Sequence, residues 1–234
     1  MTWFSALAAD KRPNVLLILA DDLGYNDLGF QGSKEMKTPH LDKLASESIK
    51  FSNGYVSAST CSPSRAGLMT GRYQQRFGHE ANCPPKDKGM DLSQKTIADR
   101  MRAAGYRTGV IGKWHLGDAD EFHPNKRGFD YFYGLRHGSR GYNGSGKPGK
   151  GSKAIEENMK KVGFKGYVTD VFGQKAIDFI NKDDEKPFFL YLSFTAPHAP
   201  MNAKKEDFAL FEHVENKKRR TLAAMIWAMD RAIG

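Results

Sequence analysis

Residues 14–20 read N-V-L-L-I-L-A and residues 188–194 read F-F-L-Y-L-S-F, two apolar runs of strand length near opposite ends of the chain. A strand with one wet face alternates polar and apolar residues. Runs of this kind therefore belong to strands covered on both sides, as in a parallel sheet held between helical layers. Residues 107–112 add a short strand, and residues 49–58 predict another that delivers the chain to Cys61. Helical signals lie between them. Thr38 and Pro39 open a helix over 38–45 as N-cap and first helical residue, and Gly105 closes one over 93–104. Phe172, Ala176, Phe179 and Ile180 share one face of a helix over 170–181, as do Leu222, Met225, Ile226, Met229 and Ile233 in a helix from 219 onward. The fold class expected is α/β, a largely parallel mixed sheet flanked by helices.

At 234 residues the chain is long enough to bury one large core. No apolar run approaches the roughly 20 residues that a bilayer-crossing helix needs. With two cysteines, Cys61 and Cys83, no disulfide framework holds the fold, and Cys83 reads as an ordinary thiol. The formal net charge of +9 suits a polyanion, yet no nucleic-acid motif accompanies it. Positive charge gathers in a Gly-rich stretch, residues 136–165, where Arg140, Lys147, Lys150, Lys153, Lys160, Lys161 and Lys165 stand against Glu156 and Glu157. It reads either as a solvated insertion or as a surface that attracts polyanions.

Residues that can do chemistry sit where the strands end, which is where open α/β sheets place their ligands. Asp21 and Asp22 follow the first apolar run at once, and both carboxylates can converge only if the backbone turns there. A metal is the favoured reading for the pair. C-S-P-S-R-A-G-L-M-T-G-R at residues 61–72 puts Cys61 at a helix start, since Pro63 suits a first turn and Gly71 the left-handed position that closes a helix. Free N–H groups and the helix dipole favour an anion at such an end, and Arg65, one turn on, can point back towards residue 61. Lys113 and His115, two apart at a strand's end, project in similar directions and could reach one anion. His198 is fixed between prolines in T-A-P-H-A-P at residues 195–200. His40, in the first helix, is read as structural. His79, His137, Arg140 and Tyr142 are candidate substrate contacts, each more simply explained as structural or solvent-facing.

The twelve-residue string resembles the signature of type I sulfatases of the alkaline phosphatase superfamily, in which the cysteine is oxidised after translation to formylglycine. Gly112-Lys113-Trp114-His115-Leu116-Gly117 and the T-A-P-H-A-P turn are similar to further blocks of that family, in the family's order. The resemblance implies an alkaline phosphatase-like fold and a sulfuric ester hydrolase acting on a sulfated carbohydrate or an aryl sulfate. It implies that Asp21, Asp22 and residue 61 hold one calcium ion, and that Lys113 and His198 bind the sulfate, His198 at the leaving oxygen. Arg65 would hold the oxyanion of residue 61, and His115 would accept a proton from the formylglycine hydrate during turnover. A formylglycine-generating enzyme is then a required partner. Residues 1–12, with W-F-S-A-L-A-A at 3–9, look like the remnant of a secretory signal, an apolar tail with an Ala-Leu-Ala cleavage site but no basic start. Many bacterial sulfatases act outside the cytoplasm, so a periplasmic or secreted location is expected.

Calcium takes about six to eight oxygen ligands, whereas these motifs offer two carboxylates and the oxygens of residue 61. The family completes its site with an Asp-Asn pair and a further lysine beyond the last block seen here. Residues 13–234 are therefore expected to form the N-terminal part of the catalytic domain, to bind calcium weakly and to turn over substrate poorly. Two alternatives are a phosphonate monoester hydrolase or phosphodiesterase of the same superfamily, and a non-catalytic basic module that binds sulfated glycans.

Overall fold

The computed structural model describes residues 12–82, 89–182 and 185–234; Cys83 and the signal-like stretch at residues 3–9 lie outside them. Eight strands occur among the described residues: β1 (Val15–Asp21), β2 (Arg107–Lys113), β3 (Tyr131–Leu135), β4 (Asn143–Ser145), β5 (Ile155–Glu157), β6 (Lys160–Val162), β7 (Lys165–Tyr167) and β8 (Phe188–Pro197). Six of them form one sheet in the order β1-β8-β2-β3-β5-β6. The first four run parallel, and β5 and β6 are added antiparallel, so the sheet is mixed and largely parallel as expected. A separate antiparallel ribbon pairs β4 with β7.

The helices are α1 (Pro39–Ser46), α2 (Cys61–Thr70), α3 (Ile97–Ala103), α4 (Val168–Ile180), α5 (Lys205–Ala209) and α6 (Lys217–Ile233). Successive strand residues point to opposite faces, and β8 shows why its run is apolar throughout. Leu190, Leu192 and Phe194 pack with Phe172, Ala176 and Phe179 of α4 and Met225 and Met229 of α6. Phe189 and Tyr191 point the other way, towards Ala66 and Met69 of α2 and Ala98 of α3. Each fully buried side chain of this size contributes about 1.5–3 kcal/mol.

The expected helix over 93–104 is shorter. Thr96 accepts from Asp99 N–H at 3.0 Å while Asp99 accepts from Thr96 N–H at 2.9 Å, a capping box that starts the helix at Ile97. Thr38 lies at the N-cap of α1, but its hydroxyl bonds Asp42 and Gly29 N–H instead of capping. The strand expected over 49–58 does not form. Ile49, Phe51, Tyr55 and Val56 are 71–86% exposed, and β1, the nearest candidate partner, pairs only with β8 among the described residues. Without a ladder to join, β-favouring side chains do not make a strand. Residues 136–165 are not a bare insertion either: they contain β4 to β6, and Glu156 is buried against Arg136 and His123.

Candidate active site

The register of β1 on β8 breaks between Leu19 and Asp21 and sets Asp21 opposite Pro197. The histidine turn is thereby delivered beside the aspartate pair, with His198 Nε2 at 3.5 Å from Asp22 Oδ2. Asp22 makes the turn that adjacent carboxylates need, at φ 60°. Its side chain is accessible, and Cys61 Sγ donates to its Oδ1 at 3.7 Å. Asp21, by contrast, is buried at the end of β1.

Lys113 ends β2 and is fully buried, its Nζ donating to Asp21 Oδ2 at 2.6 Å. The strand reaches that point only because residue 112 is glycine. Gly112 has φ 111°, and a Cβ there would stand 1.8 Å from the Ser193 carbonyl oxygen. Beyond Lys113 the chain turns at His115, φ 58°, whose N–H donates to Arg136 O at 3.0 Å.

Helix α2 begins at Cys61, carries Pro63 in its first turn and ends on Gly71 at φ 65°, as its sequence predicts. Arg65 is 1% exposed. Its hydrogen bonds run to the strands and not to residue 61: Nη2 to Asp21 Oδ1 at 3.2 Å, and Nη1 to Lys113 O at 2.8 Å, Ser193 Oγ at 2.6 Å and Tyr191 OH at 3.2 Å. The buried charges here are therefore two cations against one carboxylate, a net positive interior beneath a half-buried residue 61.

Electrostatics follow from that count. Burial works to raise the Asp21 pKa, but Arg65 and Lys113 outweigh it and hold the carboxyl below the usual carboxylate range. Burial, aided by Asp21, pushes the Cys61 thiol up, so an unmodified cysteine here is a thiol and not a thiolate at neutral pH. Burial and the charges of Lys113 and Arg65 lower His115 to about 3, which keeps its imidazole neutral and makes it a weak base while those cations face it. A cleft of about 230 Å³ opens beside these groups, lined by Asp21, Asp22, Thr60, Cys61, Ser64 and Arg65 among others.

The weaker candidates divide. Tyr142 OH lies 2.7 Å from Thr195 O and 2.8 Å from His198 O, bracing the histidine turn. His137 pairs with Asp118 at 3.0 Å, and its ring centroid is 6.3 Å from that of His115. Arg140 lies over the Phe164 ring, and His79 is buried against Ser62. Ser193 and Tyr191 escaped the sequence reading. The hydroxyl of Ser193 inside an otherwise apolar run was the signal for one, and Tyr191 gave none.

Asp21, Cys61 and His198 each offer a ligand atom, and these atoms lie within 4.8 Å of one another. Together with Asp22 they supply two carboxylates of the hard-oxygen kind that suits calcium, and the thiol of Cys61 becomes an oxygen donor only on oxidation. The donor set thus fits a calcium ion in part, with further ligands falling to water, substrate or residues outside this chain.

Three strand ends and one helix start that gather buried charges around Asp21 define an α/β protein with its polar cluster at the carboxyl edge of its sheet. The chain belongs to the sulfatase family, whose model matches residues 13–234. It is 37% identical to arylsulfatase J of Mus musculus over 97% of this chain and 39% of that protein. It is 36% identical to human N-acetylgalactosamine-6-sulfatase over 86% of this chain and 42% of that protein. The crystal structure of Ps i-CgsB in complex with k-i-k-neocarrahexaose superposes with a TM-score of 0.90 at 41% identity, covering 96% of this chain and 54% of that one. The chain thus spans less than half the length of these two curated relatives. No described helix is long and apolar enough to cross a membrane.

Proposed function

We propose that this chain supplies the nucleophile, the calcium-binding carboxylates and the sulfate-binding Lys113 and His198 of a sulfuric ester hydrolase that cleaves sulfate monoesters of a sulfated carbohydrate, with residue 61 acting as formylglycine. The observation that carries the reading is the pair of fully buried cations, Arg65 and Lys113, gathered with Asp21 beneath residue 61 at the first turn of α2. Relatives named for arylsulfate and N-acetylgalactosamine-6-sulfate chemistry, and a neighbour solved with a carrageenan oligosaccharide, support the substrate class.

Asp21, Asp22 and residue 61 would hold calcium, which would supply charge neutralisation, and the hydrate of a formylglycine at position 61 would supply an oxygen nucleophile. The remaining work falls to this chain's own side chains. Lys113 and Arg65 are fixed in place before substrate arrives, so their stabilisation of charge needs no reorganisation. His115 would take a proton only once an anionic substrate offsets the Lys113 and Arg65 charges that face it. His198 donates Nδ1–H to Ala199 O, so Nε2, on the side of Asp22, would protonate the departing alcohol oxygen only from the imidazolium form.

Mass spectrometry of the peptide containing residue 61, after co-expression with a formylglycine-generating enzyme, should show conversion of the thiol to the aldehyde. In the converted natural enzyme, Cys61→Ala should reduce aryl sulfate hydrolysis by more than about 1,000-fold with the fold unchanged by circular dichroism. Retained hydrolysis would refute the assignment, and faster turnover of a phosphodiester than of an aryl sulfate would move the chain to the phosphoester branch of the superfamily.

A further inference from the structure

Ser62 follows the reactive position and is fully buried. Its hydroxyl stands 2.7 Å from the carbonyl oxygen of His115 and 2.7 Å from Nε2 of His79. A carbonyl can only accept, so the single Ser62 proton goes to His115. His79 must then present Nε2–H to the Ser62 oxygen. Burial lowers the His79 pKa, and a hydrogen bond to the Gly89 backbone works the other way. The backbone N–H of Ser62 donates to Asn82 Oδ1 at 2.8 Å, so this residue is held from three directions.

The other end of the link is under equal constraint. His115 is a non-glycine residue in the left-handed region, a conformation that persists only where its surroundings over-determine it. Its N–H is bonded to Arg136 O and its C=O to Ser62 Oγ, while Gly138 packs so closely on the ring that a Cβ there would lie 2.5 Å from Cε1. The start of α2 and the segment after β2 are separate elements, and the Ser62 hydroxyl bridges 53 residues of sequence between them.

We infer that Ser62 is a positioning residue, its hydroxyl oriented by His79, that sets the His115 ring against the group at position 61. What His115 does there rests on the sulfatase reading above. The hydrogen bond from Ser62 to the His115 carbonyl does not. Supporting groups of this kind are worth about 10- to 100-fold in metal-site enzymes.

The test uses the natural enzyme, with formylglycine occupancy measured by mass spectrometry in every variant and rates expressed per converted site. Ser62→Ala and His79→Leu should lower kcat for an aryl sulfate by about 10- to 100-fold with KM within about twofold, whereas His79→Gln, which keeps an N–H donor, should recover most of the loss. Independently, ¹⁵N-histidine NMR of the unconverted cysteine form should report a proton on His79 Nε2, with Ser62→Ala moving the His115 ring resonances and His79→Gln leaving them near their wild-type positions. A His79 Nε2 without a proton, or equal kcat in all four proteins, overturns the inference. A parent enzyme without activity on aryl sulfate would sink the functional reading instead, and the NMR result would still decide whether the Ser62 link exists.

Discussion

Asp21 binds both buried cations of the site, one on each carboxylate oxygen, and it is the side chain whose loss the site should tolerate least. Asp21→Asn keeps the shape but leaves Arg65 and Lys113 without a counter-charge in the interior. Removing one partner of a buried ion pair costs about 3–5 kcal/mol, and urea denaturation in calcium-free buffer should show a loss of that order. Asp22→Asn, at a side chain 59% exposed, should cost under about 1 kcal/mol because solvent already screens it. Equal losses would contradict the role given to burial. The place of Asp21 was legible in the sequence because an apolar run ends there, but its partners were not. Arg65 and Lys113 are 44 and 92 residues away, and only the folded sheet says that their charges meet on one carboxylate.

Among the elements, the strands most legible in the sequence were those covered on both faces, since burial leaves an apolar run wherever it occurs. The failed strand at 49–58 marks the limit of that signal. β-Favouring residues become a strand only with a neighbour to pair with, and no local pattern reports the neighbour. The junction of β2 and β8 was equally hidden. Gly112 reads as an ordinary glycine until the strands are paired, yet it sits where Lys113 must turn inward beneath the Ser193 carbonyl. Gly112→Ala should therefore destabilise by more than about 3 kcal/mol, from the steric overlap and the positive φ together. Gly141→Ala is the control: nothing lies within 4 Å of its Cβ position, and it should stay within about 0.5 kcal/mol. Guanidinium denaturation of both variants measures the difference, and a mild effect at Gly112 would mean that the two strands can part without loss.

For the molecule as a whole, the net charge of +9 is spread unevenly. Lys175 and Lys204 are paired with Glu157 and Asp170, and Lys160 and Lys161 stand across from Glu157 and Glu156 in the β5–β6 pairing. Lys147, Lys150 and Lys153 are exposed on a segment that reaches the site. His137 N–H donates to Ser152 O at 3.1 Å, and His137 in turn lies beside His115. A long sulfated polymer engaged at residue 61 and lying along this segment would bring its further sulfates to these ammonium groups, within the Debye length of about 8 Å at physiological salt. A single aryl sulfate would not extend so far. Replacing Lys147, Lys150 and Lys153 together by Gln in the natural enzyme should raise KM for a sulfated polysaccharide by about threefold to tenfold at low salt, leave kcat unchanged and leave both constants for an aryl sulfate unchanged. The difference between variant and parent should vanish near 0.5 M salt, where the Debye length falls to about 4 Å. If polymer and aryl sulfate are affected alike, or the difference survives high salt, the lysines act on the site itself and do not attract the chain that bears the ester.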